Sequence, residues 1–192
     1  AKIRLIRNLP DPKSREYRDA LADEIYSAVE LTQGKAFVLF TSYELLRYCQ
    51  ESLRNDFLDH RWHLLVQGSG SSRSQLLRDF KEDINSVLFG TDSFWTGVDV
   101  PGEALSPVII TKLPFAVPNH PLIQARSERI RDRGGDPFSE YSIPDAVLKF
   151  RQGIGRLIRS RSDTGYIVIL DPRVISKGYG RTFLDSIPYK LI

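Results

Sequence analysis

Short, continuous apolar runs alternate with segments of helical periodicity along most of the chain. Five of these runs predict strands, at 36–40, 62–66, 86–89, 108–111 and 166–170. A run without alternation is typical of a strand that is covered on both faces of a parallel sheet. A further apolar patch at Ile3, Leu5 and Ile6 predicts a short strand or an arm, which Pro10 and Pro12 terminate.

Helical spacing fills the intervals between the predicted strands. Apolar residues at every fourth position predict an amphipathic helix over 14–31, closed by Gly34. Further helices are predicted around 45–57, 76–80, 122–133 and 143–159. This alternation predicts a three-layer α/β domain with a mainly parallel sheet of at least five strands. In such sheets ligands gather at the carboxyl ends of the strands, where the sequence places 41–42, 68–72 and 90–99.

The composition is that of one globular domain, with 192 residues, 41% of them hydrophobic and 27% charged. Because the formal net charge is only +3, a nucleic-acid partner would have to meet a local basic patch. No apolar run approaches the roughly 20 residues that span a membrane, and no signal-peptide core opens the chain. We therefore expect a soluble intracellular protein without a membrane partner. The start at Ala1 and the absence of Met suggest a piece of a longer protein.

Metal and self-contained ATPase chemistry have little support. The single Cys49 excludes an internal disulfide and a four-cysteine iron–sulfur or zinc site within this segment. His60, His63 and His120 lack metal-ligand spacing, so we predict no metal site. The Gly/Ser segment 68–72 lacks the Lys-Ser/Thr ending of a phosphate loop and is interpreted as a flexible connector with an N-cap. No segment matches a complete Walker loop or an Asp-Glu magnesium box.

Two other segments carry candidate chemistry. Helical spacing places Gln152, Arg156 and Arg159 on one face, where two guanidinium groups could grip a polyphosphate. A basic helix end that complements the helix dipole is the alternative. Gly153 and Gly155 each cost about 1 kcal/mol relative to Ala within a helix, which favours a position that a ligand or another backbone approaches closely.

The second segment, 91–102, leaves a predicted buried strand. It contains small hydroxyl side chains suited to phosphate contacts, and it places Asp99 between apolar neighbours, two residues after Gly97. Turn and capping roles are the alternative explanation for these residues.

Taken in order, these blocks resemble the motifs of the DinG/XPD-like helicases of superfamily two, and most narrowly the bacterial DinG branch. The matching stretches are 38–43 for motif IV, 90–102 for motif V and 152–159 for motif VI, with 113–118, Ala125-Arg126 and 179–184 typical of the DinG branch. The resemblance covers most of the chain. It implies a second RecA-like motor domain over 1–192, completed by an N-terminal motor domain that carries the Walker loop and binds ATP with Mg²⁺ in the cleft.

The resemblance also implies residue roles. On the nucleotide side, Arg156 and Arg159 would be arginine fingers, Gln152 would position the phosphate or the attacking water, and Gly97, Asp99 and Gly155 would lie near the nucleotide. An arginine finger can contribute a factor of about 10³–10⁵ in rate. On the strand side, Thr41, Ser42, Thr91 and Arg126 would contact the backbone of single-stranded DNA, without sequence preference.

The resemblance has further implications that no residue of this chain carries. Many relatives hold an iron–sulfur cluster in the other motor domain, and this segment does not tell whether the full protein does. A bacterial DinG-like protein would be cytoplasmic and nucleoid-associated. One alternative function is a nucleic-acid-binding or partner-docking module that has lost the motor. The other is an RNA helicase domain of the DEAD-box kind, which Gln152-Gly153 and the proline-rich segment after Leu113 disfavour.

Overall fold

The computed structural model describes residues 2–95, 107–155, 166–187 and 190–191. These ranges contain seven strands: β1 (Lys2–Leu5), β2 (Ala36–Leu39), β3 (His63–Val66), β4 (Ser86–Gly90), β5 (Val108–Ile110), β6 (Tyr166–Ile169) and β7 (Lys190–Leu191). They form one sheet in the order β3-β4-β2-β5-β6-β1-β7. Every pairing in the sheet is parallel, so all the carboxyl ends meet at one edge.

Eight α-helices lie within the same described ranges: α1 (Tyr17–Glu30), α2 (Tyr43–Asp59), α3 (Arg73–Glu82), α4 (Asp92–Trp95), α5 (Pro121–Asp132), α6 (Ile143–Gly155), α7 (Arg173–Ser176) and α8 (Gly180–Asp185). A π-helical turn, Phe138–Ser142, leads into α6. Gly34 follows the end of helix α1, has a φ of +98°, and its backbone N–H donates to the Val29 carbonyl of the last helical turn at 3.2 Å. The sequence-based expectation that Gly34 closes this helix is confirmed.

Apolar helices cover both faces of the sheet. Phe37 and Leu39 of β2 point into a core formed with α3, α4, α6 and α8, whereas Val38 and Phe40 point into a second core formed with α1 and α2. Successive side chains of a strand point to opposite faces, so a strand between two apolar layers needs an unbroken apolar run. The predicted three-layer, RecA-like α/β fold with a parallel sheet is confirmed.

The differences from the sequence-based elements concern short segments. All five predicted strands are present, and the apolar patch at the N-terminus is β1 rather than an arm. The turns α4, α7 and α8, the π-helical turn and the two-residue β7 were not predicted, because a hydrophobic period needs a window longer than any of them. The predicted helix over 143–159 is observed as α6 up to Gly155, and 156–159 lie outside the described residues.

Candidate nucleotide and nucleic-acid interface

Ser42 lies at the carboxyl end of β2 and begins helix α2. Its hydroxyl oxygen accepts a hydrogen bond from the Leu45 backbone N–H at 3.3 Å, which confirms the predicted N-cap. Ser42 is exposed and the preceding Thr41 is half-buried. Because the capping bond uses only a lone pair of the Ser42 hydroxyl, its proton is left for a partner outside the helix.

Thr91 follows the next strand of the sheet, β4, but is turned inward. Only 3% of Thr91 is exposed. Its backbone N–H and its hydroxyl both donate to Oε1 of Gln67, at 2.7 and 3.1 Å. In this structure the Thr91 hydroxyl therefore serves a protein partner.

Gln67 connects three segments at the carboxyl edge of the sheet. It follows β3, and its Nε2 donates to the Tyr43 hydroxyl at 2.7 Å and to the Ser93 hydroxyl at 3.0 Å. Together with Thr91, these residues form a network that we call the Gln67 cluster: Tyr43, Gln67, Thr91 and Ser93. The sequence analysis missed Gln67, although a polar residue directly after a buried strand is a usable signal for a site at this edge.

Trp95 joins the sheet edge to helix α6. Its ring is fully buried, and its Nε1 donates to the Phe40 carbonyl at 2.9 Å. A Cβ at Gly153 would lie 2.7 Å from Cε3 of Trp95 and 3.4 Å from a methyl group of Leu39. Gly153 is thus explained by the close approach of an indole side chain, not by the ligand or backbone expected from the sequence.

The end of α6 therefore lies against the carboxyl edge, close to the ends of β2 and β4. Gln152 is half-buried there, and Gly155 is exposed. A Cβ at Gly155 would meet no described atom within 4 Å. The other predicted nucleotide-side residues, Arg156, Arg159, Gly97 and Asp99, lie outside the described residues.

Arg126 lies on the exposed surface of α5. Its guanidinium donates to the Tyr141 hydroxyl at 3.1 Å and is 5.2 Å from the centre of the Tyr141 ring. This cation–π and hydrogen-bond pair holds the Arg126 side chain against the π-helical turn. Its described contacts are with that turn and not with the Gln67 cluster.

An ion pair between Asp171 and Arg173 holds the start of the proline-rich segment, at Leu113. Asp171 follows β6, is fully buried, and accepts hydrogen bonds from the Leu113 backbone N–H at 2.8 Å and from the Arg173 guanidinium at 2.6 Å. Burial opposes the charge on Arg173, but the bonds to Asp171 outweigh it and raise the pKa of the guanidinium. Burial, together with the nearby Arg173 charge, lowers the pKa of Lys112. These cations were not singled out in the sequence.

The described residues contain no group of three or more His, Cys, Asp or Glu side chains placed to hold a metal ion. Among the helices of the described ranges, none is long and apolar enough to cross a membrane.

The fold is that of a RecA-like α/β domain. The model of the helicase C-terminal domain family matches residues 25–190, and the chain belongs to this family. The YoaA ATP-dependent DNA helicase of Haemophilus influenzae is 43% identical over 182 residues, which are 95% of this chain and 28% of that protein. The 3′-5′ exonuclease DinG of Bacillus subtilis is 42% identical over 184 residues, 95% of this chain and 20% of that protein. The chain thus spans less than a third of these relatives.

Solved structures share the fold at low identity. An XPD helicase superposes with a TM-score of 0.76 at 18% identity, covering 100% of this chain and 35% of that one. The C-terminal domain of the DEAD-box protein Dbp5 superposes with a TM-score of 0.58 at 17% identity, covering 100% of this chain and 88% of that one. Both confirm the RecA-like architecture.

Proposed function

We propose that this chain is the second motor domain of an ATP-dependent DNA helicase and is completed by an N-terminal motor domain of the same protein. The observation that carries the proposal is the meeting of three motif-bearing segments at one sheet edge. Trp95 hydrogen-bonds the end of β2 and packs on Gly153 of α6. A rotation of this domain would therefore move the strand-contacting segment and the nucleotide-contacting helix together, as coupling of hydrolysis to movement requires.

On the nucleotide side, α6 leads into Arg156 and Arg159, which we propose as arginine fingers for ATP bound by the N-terminal domain. Phosphoryl transfer depends on positioning and charge stabilisation, which guanidinium groups supply. Gln152 would position the phosphate or the water. Gly155 would lie beside the nucleotide, and no described atom lies within 4 Å of a Cβ built there. With Gly97 and Asp99, these residues would line one side of the cleft. The N-terminal domain would hold Mg²⁺ and most of the ATP.

On the strand side, we propose that Thr41 and Ser42 face the phosphodiester backbone of single-stranded DNA, with Arg126 as an outlying contact. Thr91, expected in this set from the sequence, donates to Gln67 and supports the edge from behind. The uncommitted Ser42 proton supports this proposal, since phosphodiester oxygens accept hydrogen bonds only. The homology to DinG and YoaA proteins favours DNA over RNA.

The test compares the 192-residue chain with the full-length protein. The chain alone should hydrolyse no ATP with or without single-stranded DNA, whereas the full-length protein should show DNA-stimulated turnover. ATP hydrolysis by the pure chain would overturn the two-domain proposal. Stimulation by RNA but not by DNA would support the RNA helicase alternative, and DNA binding without any turnover by the full-length protein would support a binding module.

A further inference from the structure

Building on the proposed strand contacts, we infer that Gln67 is a positioning residue that fixes the hydroxyl protons of its cluster. The hydrogen bonds of the Gln67 amide leave Tyr43, and not Thr91, as the hydrogen-bond donor to a phosphodiester oxygen of the single strand. Neither Gln67 nor the Tyr43 hydroxyl belongs to the set of strand contacts that the sequence motifs suggest.

The orientation of the Gln67 amide follows from its partners. The backbone N–H of Thr91 can only donate, so the amide oxygen must face it. The amide nitrogen then faces the Tyr43 and Ser93 hydroxyls, each of which can accept. The oxygen accepts two bonds and the nitrogen donates both of its hydrogens. The amide is therefore saturated within the cluster and has one favoured orientation.

The saturated amide decides where the hydroxyl protons go. Oε1 of Gln67 carries no proton, so the Thr91 hydroxyl must donate its own in their 3.1 Å bond. A phosphodiester oxygen also accepts only, and Thr91 has no second proton to give it. Since Thr91 is also 3% exposed, it supports the cluster rather than donating to the strand.

The Tyr43 hydroxyl accepts a hydrogen bond from the cluster, whereas the Thr91 hydroxyl donates one. Tyr43 accepts from Gln67 and keeps its own proton, which no described residue accepts. Tyr43 is 46% exposed, directly follows Ser42, and has its ring beside Gly68. The neighbouring carboxylate, Glu44, is paired with Arg18, so its charge is partly offset. Two adjacent residues, Ser42 and Tyr43, thus present donor hydroxyls at the start of α2.

The experiment measures binding of a short fluorescein-labelled oligothymidylate to the full-length protein by anisotropy. Tyr43→Phe removes only the hydroxyl and should weaken binding about 10- to 150-fold, the range expected for one hydrogen bond to a charged acceptor. Gln67→Ala should weaken binding by a similar factor, because the Tyr43 hydroxyl loses its fixed orientation. The variant that carries both changes should bind the oligonucleotide no more weakly than the single variant with the lower affinity, because both changes act on the same hydroxyl.

Matched controls separate this role from general damage. Tyr166→Phe alters a tyrosine of similar exposure, 41%, at the opposite edge of the sheet, and Gln50→Ala alters a half-buried glutamine in the middle of α2. Both should bind the oligonucleotide like the parent. If Gln67→Ala does not fold, Tyr43→Phe still decides the question, because it removes one acceptor of the Gln67 amide nitrogen and leaves the other, the Ser93 hydroxyl, in place.

Two results would overturn the inference: unchanged binding by Tyr43→Phe, or multiplicative losses in the double variant. The proposed function fails in a different way, namely when the parent protein itself neither binds single-stranded DNA nor hydrolyses ATP in its presence. The two failures are therefore distinguishable in one series of measurements.

Discussion

Replacement of Gly153 by alanine tests the packing that joins helix α6 to the sheet edge. The new methyl group would lie 2.7 and 3.1 Å from two ring carbons of Trp95. Non-bonded carbons have their optimum separation at about 3.5–4.0 Å, so the methyl would be close to 1 Å inside the contact distance. Either the indole or the helix must move, and a moved indole would also lose its bond to the Phe40 carbonyl.

The expected free-energy change has two opposing contributions. Overpacking in a core costs about 1–3 kcal/mol, whereas alanine in place of glycine stabilises a helix by about 1 kcal/mol. Gly153→Ala should therefore lower the free energy of unfolding by about 0–2 kcal/mol. Gly155→Ala is the matched control on the same helix, because its Cβ would meet no described atom within 4 Å. This control should be neutral or stabilising by up to about 1 kcal/mol.

The assay is thermal and denaturant unfolding of the two variants side by side. A difference of about 1 kcal/mol shifts the melting temperature of a chain of this size by roughly 2–4 °C, so the gap between the variants is measurable. A Gly153→Ala variant more stable than Gly155→Ala would refute the packing argument. Gly155→Ala should in addition raise the KM for ATP of the full-length protein, if that position faces the nucleotide as proposed.

Three further results are expected. Tyr17→Phe should lower the free energy of unfolding by about 1–3 kcal/mol, because the buried Tyr17 hydroxyl lies 2.6 Å from the Thr111 carbonyl and 3.3 Å from the Leu170 carbonyl; an unchanged unfolding curve would contradict this. Burial raises the pKa of the Cys49 thiol to about 12, so a thiol reagent at pH 8 should modify Cys49 only after denaturant is added, and rapid modification of the native chain would show that the thiol is accessible. Ser42→Ala should weaken single-strand binding more than basal ATP hydrolysis, and the reverse pattern would move Ser42 to the nucleotide side.

The long apolar elements could be predicted from the sequence because their signal is local. The run from Ala36 to Phe40 indicates a strand covered on both faces, and Ser42 before an apolar period indicates a helix start; the structure confirms both. Parallel pairing then places their carboxyl ends at one edge, which is where we propose the site.

The contacts within the site depend on residues that are distant in sequence. Gly153 is explained by Trp95, and Thr91 is turned inward by Gln67, and neither partner follows from a periodicity. The four-residue helix α4 that carries Trp95 is too short for a hydrophobic period to detect. The small hydroxyl side chain of Thr91 suits a phosphate contact, but only the hydrogen bonds show that its proton is already donated to Gln67.

The most direct measurement of the central claim is DNA-stimulated ATP hydrolysis by the full-length protein with Arg159→Ala or Arg156→Ala. Arginine fingers predict a loss of about 10³–10⁵ in turnover, with single-strand binding retained. Arg151→Ala changes an exposed arginine of helix α6, and this variant should hydrolyse ATP and bind DNA like the parent. Turnover within a few-fold of the parent in both finger variants, or parallel loss of turnover and DNA binding, would contradict the proposal.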